Sequence, residues 1–210
     1  MKKLISLLAL GLIGCQNTQQ QASTAASTTE TAALAGDHYV IEGTTPVYPE
    51  GACIFLYRYK DRAYTPVDST AIDAQGHFRF EGKTEEPLVY ALRLNGSGTR
   101  AHLYLDNSPV ELILNPNWNF EFLRSSDAAQ LFERYNRMAI YNALDLNKEI
   151  KEAPTSPHLA YFLARNAYKY DYDTLIALRK GLDASLKDNP YLKELDAAIA
   201  QLAKIQPGAE

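Results

Sequence analysis

Between Asp37 and Leu123 apolar and polar residues alternate with a period of two, in short runs separated by turn residues. In "ACIFLYRY" the alternation sets Ala52, Ile54, Leu56 and Arg58 on one face and Cys53, Phe55, Tyr57 and Tyr59 on the other. That is the pattern of a strand with one buried face and a second, partly covered face, and it makes Cys53 an expected buried packing residue. "HYVIEG" reads as a strand closed by a turn at Gly43, and "GHFRFEG" puts Phe78 and Phe80 on a common face. "LVYALRLN" alternates Leu88, Tyr90, Leu92 and Leu94 with smaller or polar residues, and "AHLYLDN", "VELILNP" and "WNFEFL" keep the rhythm. Turn clusters recur at Pro49–Gly51, Gln75–Gly76, Glu85–Pro87, Asn95–Gly98, Asn107–Pro109 and Asn115–Asn117. Such spacing predicts an antiparallel sandwich or barrel of about seven or eight strands over 37–124.

Past Arg124 the period becomes helical. Apolar residues at 132, 135, 139, 143, 146 and 150 form one stripe, with Ser126 or Asp127 as the cap. Ser156–Pro157 and Asn189–Pro190 each place an N-cap residue before a proline at the first helical position. Leu175, Leu178, Leu182 and Leu186 make a second stripe, and Leu192, Leu195, Ile199 and Leu202 a third. Short links predict antiparallel packing of the last three helices. The chain is therefore α+β by segments, a sandwich followed by a bundle of about four helices over 125–205, with 206–210 as a tail. Tyr161, Tyr168, Tyr170 and Tyr172 are expected in the core and at its rim.

The first residues follow a different logic. "MKKLISLLALGLIG" has two lysines and then an apolar run from Leu4 to Ile13, the layout of a signal peptide over 1–14 and too short to span a bilayer comfortably. Leu12-Ile13-Gly14-Cys15 resembles the bacterial lipobox. The resemblance implies cleavage between Gly14 and Cys15 and lipid attachment to Cys15, and each buried methylene of such an anchor is worth about 0.8 kcal/mol. From Cys15 to Gly36 the composition turns to Gln, Ser, Thr and Ala, without aromatic residues or proline, which predicts a flexible tether. As a coil it would hold the folded part ~25 Å from the membrane on average. The expected location is the cell envelope, facing the periplasm, with the outer membrane favoured and the lipid as membrane contact.

Charge and candidate chemistry remove function classes. A formal net charge of -4 gives no basic footprint for nucleic acid. The two cysteines, Cys15 and Cys53, make neither a C-x-x-C nor a thiolate zinc site. "VDSTAIDAQGHFRFEG", Val67 to Gly82, is the stretch richest in chemistry. With Gly76 at position 6 of a calcium loop, only Asp73 stands at an acidic ligand position, so that reading fails. Asp68 and Asp73 on an extended strand would lie ~17 Å apart, too far for a carboxylate pair without a bend. The stretch reads instead as a hairpin, with Asp73 bonding backbone two residues on and Gly76 at positive φ. "NGSGTRA" contains G-x-G-x-x-A, but a strand follows rather than a helix, so it is a hairpin tip. His38, His77, His102 and His158 are scattered without paired spacing. No catalytic residue, metal ligand or cofactor site is assigned.

Gly43, the "IFLYRY" strand, Asp68, Ser69, Asp73, Gly76, Phe78, Phe80, Gly82, "PLVYALRL", "SPHLAYFLAR" and "NPYLKELDAAIAQL" together resemble a domain of unknown function. In many envelope thiol-disulfide oxidoreductases of the Bacteroidetes that domain precedes a thioredoxin-like domain. The resemblance covers roughly 37–205 and rests on turn and core positions. It implies association with thioredoxin-like envelope proteins, but no W-C-x-x-C occurs in this sequence, so dithiol chemistry is carried over to no residue. The expected function is a lipid-anchored, non-catalytic accessory or binding module of unknown ligand, with a thioredoxin-like protein as candidate partner. Two alternatives stand beside it: a truncated remnant of an oxidoreductase, and a glycan or cell-wall-fragment binder using exposed aromatics such as Trp118 and Tyr104.

Overall fold

The computed structural model describes residues 36–46, 48–95, 100–115 and 119–205. The signal segment, Gly14, Cys15, most of the tether, Trp118 and the 206–210 tail lie outside the described residues. Eight strands come first: β1 (Tyr39–Thr44), β2 (Cys53–Lys60), β3 (Ala63–Ala71), β4 (His77–Gly82), β5 (Leu88–Leu94), β6 (Ala101–Leu105), β7 (Val110–Leu114) and β8 (Phe120–Arg124). Five α-helices follow: α1 (Asp127–Ile140), α2 (Leu146–Glu152), α3 (Pro157–Asn166), α4 (Tyr172–Gly181) and α5 (Pro190–Ala203). The expected succession of a β part and a helical part is what the chain adopts.

The strands form two four-stranded sheets, in the orders β4-β1-β7-β8 and β3-β2-β5-β6. Pairing is antiparallel throughout the described strands except between β1 and β7, which run parallel. The purely antiparallel expectation is corrected there: all of the second sheet lies between β1 and β7 in sequence, and a crossover of that length permits a parallel pair. The inner faces share one core. Tyr39 and Ile41 belong to the same buried cluster as Ile54, Leu56 and Leu92, and the Tyr39 ring centroid lies 6.1 Å from that of Tyr90.

A third layer covers the outer face of the second sheet. On β5 every residue from Leu88 to Leu92 is buried, so both faces of that strand are covered. Val89 and Ala91 share their face with Tyr57, His102 and Tyr104 across the ladder. The helices meet this face through aromatic rings: Tyr59 lies edge-on to Tyr161 at 5.8 Å and stacks on Tyr191 at 6.2 Å, and Tyr104 stacks on Phe132 at 6.0 Å. Tyr161 is thus core; Tyr170 and Tyr172 are half-buried, while Tyr168 is exposed. Cys53 is half-buried rather than buried, because it sits at the start of β2 opposite exposed Ala71 on edge strand β3.

Three local expectations change. The stripe of Leu175, Leu178, Leu182 and Leu186 is broken after α4 ends at Gly181, where Asp183 caps a separate 3-10 turn over Ala184–Asp188. The 132–150 stripe is two helices, not one. Asn142 takes a left-handed φ of 54°, and Asp145 caps a new helix by accepting from the N–H groups of Asn147 and Lys148 at 3.0 and 3.1 Å. Ala143 therefore falls in an exposed loop. Gly43 is not a turn but a strand position directly opposite Phe78, whose ring lies across it.

Candidate functional site

The Val67–Gly82 stretch is a corner between the sheets, not a hairpin, because β3 and β4 belong to different sheets. Asp73 organises it, accepting from the N–H groups of His77 at 2.7 Å and Gln75 at 2.9 Å. These bonds hold its carboxyl below the usual carboxylate range. Gly76 has φ +81°, and a Cβ there would stand 2.5 Å from the Thr45 carbonyl oxygen, so both backbone sign and space require glycine. Asp68 and Ser69 are exposed on β3, beside an irregularity in its pairing with β2, and the Asp68 carboxylate accepts from the Ser69 N–H at 2.7 Å. A proline, a pairing irregularity and a charge on an edge strand guard against edge-to-edge aggregation. Phe78 and Phe80 are buried in the core, and the Tyr39 ring lies over Gly82, its cross-strand partner. These residues build a corner and gather no reactive groups.

The histidines do not meet as a set. His38 and His77 are exposed. His158 is buried edge-on against Tyr104, with ring centroids 4.4 Å apart, and burial pushes its pKa down to about 4. His102 is half-buried, and burial together with the Arg165 and Arg100 guanidiniums lowers it to about 4. Neutral His102 Nε2 accepts from the Tyr64 hydroxyl at 2.5 Å, a phenol whose pKa is itself raised by burial. Tyr104, expected on the surface, is 6% exposed. Among the described residues no group of three or more His, Cys, Asp or Glu side chains is placed to hold a metal, and no helix is long and apolar enough to cross a membrane.

A groove of about 1060 Å³ lies between edge strand β8, the start of β6 and helix α1. Ser126 sets α1 in place: its Oγ accepts from the Ala129 N–H at 3.1 Å and donates to Asp106 at 2.7 Å, tying the helix start to the end of β6. One helix face, Gln130, Glu133, Arg134, Arg137 and Tyr141, follows 3.6-residue spacing and forms one wall. The other wall is β8. Its residues Phe120 to Arg124 all line the groove, although their side chains alternate between faces. A surface shared by both faces of a strand runs along its edge.

The groove combines exposed apolar groups with cations. Leu123, Ile140 and Tyr141 are 54%, 61% and 73% exposed, half of the six large hydrophobic side chains exposed among the described residues. Four arginines line it against two glutamates, in a chain of net charge -4. Arg137 is bound to Glu133 at 3.2 Å, and burial pushes the Glu133 carboxyl up against the opposing hydrogen bonds of Asn136 and Arg137. Arg134 reaches Glu149 at 3.8 Å. Arg100 lies over the Tyr64 ring at 4.4 Å, and its buried Nε and the Ser125 Oγ have no hydrogen-bond partner among the described residues. Sequence patterning did not single out this site. One signal was present: Ile140 and Tyr141 are large apolar residues that fall off the 132–135–139–143 stripe.

No curated protein matches the chain. Among solved structures it is similar to (S)-allantoin synthase, at 15% identity and a TM-score of 0.32, covering 44% of this chain and 45% of that one. The chain thus spans less than half of that structure. It is similar to transthyretin from Sparus aurata at 17% identity and a TM-score of 0.27, over 42% of this chain and 97% of that one. For sea bream transthyretin in complex with thyroxine the values are 14% identity, a TM-score of 0.27, and 42% and 96% coverage. Residues 39–130, from the first strand to the first turn of α1, match the model of the family described as "Domain of unknown function (DUF4369)".

Proposed function

We propose that this chain is a lipid-anchored accessory module of the bacterial cell envelope, without catalytic activity of its own, that binds a partner through the groove between β8 and α1. The observation that carries the binding role is the concentration of exposed Leu123, Ile140 and Tyr141 in a groove with a cationic surplus. Large exposed apolar groups rimmed by polar residues are the common mark of an interaction surface. Support for the anchor comes from Lys2, Lys3, the Leu4–Ile13 run and Leu12-Ile13-Gly14-Cys15. The resemblance to domains that precede thioredoxin-like domains makes a thioredoxin-like envelope protein the first partner to test.

Two measurements test this reading. Metabolic labelling with an alkynyl fatty acid should mark the protein and leave the Cys15→Ala variant unmarked; equal labelling of the two overturns the anchor. The purified mature protein should show no thiol-disulfide exchange with a dithiol substrate, and measurable turnover overturns the non-catalytic assignment.

A further inference from the structure

We infer that the groove takes an extended peptide segment of another protein, one that carries carboxylates among apolar residues and adds as a strand to the free edge of β8. The inference rests on the reading of this groove as a binding surface and goes further by naming the chemistry of its occupant.

Three observations lead to the strand. Among the described strands β8 is the terminal one of its sheet and is hydrogen-bonded only to β7. Its residues from Phe120 to Arg124 all line the groove, so the groove follows the strand edge rather than either face. An edge presents backbone N–H and C=O groups in a row, and an extended peptide satisfies them with a ladder of its own. Side chains of the added strand would alternate between the two faces of the sheet, extending the row of half-buried Phe122 on one and that of exposed Leu123 on the other.

The charge of the occupant follows from the arginines. Among the described residues neither Arg100 nor Arg124 has a carboxylate partner, whereas Arg137 and Arg134 do. Arg124 is exposed on β8 and lines the groove, so its guanidinium is a donor that an incoming carboxylate can reach. A surplus of cations inside an acidic chain selects against basic segments and steers acidic ones.

A second copy of β8 fits less well. In a two-fold antiparallel pairing, side chains opposite one another lie on the same sheet face, so odd-numbered residues meet odd and even meet even. Glu121 would then never face Arg124 of the partner strand, and the ion pairs that recommend β8 to an acidic segment would not form. The chain's own tether is also a poor occupant, with Glu30 as its only acid and no aromatic residue.

The test uses the lipid-free mature chain and a fluorescein-labelled peptide of alternating glutamate and valine, read by fluorescence anisotropy. Binding is expected to saturate and to weaken as salt is raised. The lysine-for-glutamate peptide should not bind. Methylating the backbone nitrogens of alternate residues should weaken binding at least about tenfold in one of the two registers, as loss of the ladder requires. Arg124→Glu should weaken it by about tenfold or more at an unchanged melting temperature. Equal binding of the lysine peptide, indifference to N-methylation in both registers, or indifference to Arg124→Glu would overturn the proposal. So would a stable dimer of the free chain lost in the Leu123→Asp variant, which would assign the edge to a second copy. A photo-crosslinker at position 141 separates the two readings. If it captures an envelope protein while no acidic peptide binds, the extended acidic occupant is wrong and the groove remains a binding surface; if neither occurs, both readings fall.

Discussion

The hydroxyl of Tyr191, in the last helix, accepts from the backbone N–H of Val89 at 2.8 Å, across 102 positions of sequence. The same hydroxyl donates to the carbonyl of Tyr59 at 3.2 Å. The β2–β5 ladder ends at Arg58 and Tyr90, so Tyr59 and Val89 are where the next rung would fall. The phenol completes the rung, and burial keeps it protonated by raising its pKa. Replacing Tyr191 by Phe leaves a buried N–H and C=O without this partner. The expected cost is about 1–3 kcal/mol, read as a shift in urea midpoint at unchanged slope. An unchanged midpoint would show that the two groups find other partners.

The same bond predicts that the β part does not stand alone. A chain of residues 36–126 loses Phe132, Tyr161 and Tyr191 from the outer face of the second sheet. It would expose Tyr59, Val89, Ala91 and Tyr104, all buried in the full chain. Its amide NMR spectrum should be poorly dispersed, and the fragment should aggregate. A dispersed spectrum with a cooperative melt would show that the sandwich is an independent folding unit.

Gly43 and Phe78 form a second fitted pair. They are opposed across β1 and β4, and a Cβ on Gly43 would stand 2.0 Å from the tip of the Phe78 ring. Phe78 is 3% exposed, so the ring cannot yield into solvent. Gly43→Ala should therefore destabilise by about 1–3 kcal/mol through overpacking. In the Phe78→Leu background the same change should cost less, with a coupling of about 0.5 kcal/mol or more. Strict additivity in denaturant titrations would sink the close-approach explanation.

Buried histidine predicts the pH dependence. His158, 2% exposed, has its pKa pushed from near 6.5 down to about 4 by burial, against a bond to the Ala128 backbone. Between those values the unfolded chain binds a proton that the folded chain does not. Stability contributed by this group is full above pH ~6.5 and declines as pH falls toward ~4, by on the order of 3 kcal/mol in total. His102 acts in the same direction. The His158→Phe variant loses the Ala128 bond but should show a flatter stability profile between pH 6.5 and 4.5. Parallel profiles for the variant and the parent would locate the pH dependence elsewhere.

Local chemistry was legible along the chain, and tertiary packing decided the rest. Period-two alternation marked β2, β4 and β5 because the face of a strand residue depends only on its neighbours. Ser126 and Asn189 announced helix starts because a cap acts within three residues, and Asp73 with Gly76 announced a turn for the same reason. No such pattern states which strands pair. The parallel β1–β7 contact, the placement of β3 and β4 in different sheets, and the helical layer over Val89 and Ala91 follow from burying all apolar faces at once. The candidate groove belongs with them. Ile140 and Tyr141 fall off the apolar stripe in sequence, but they join Leu123 and Arg124 as a surface only where the edge of β8 and the outward face of α1 come to lie side by side.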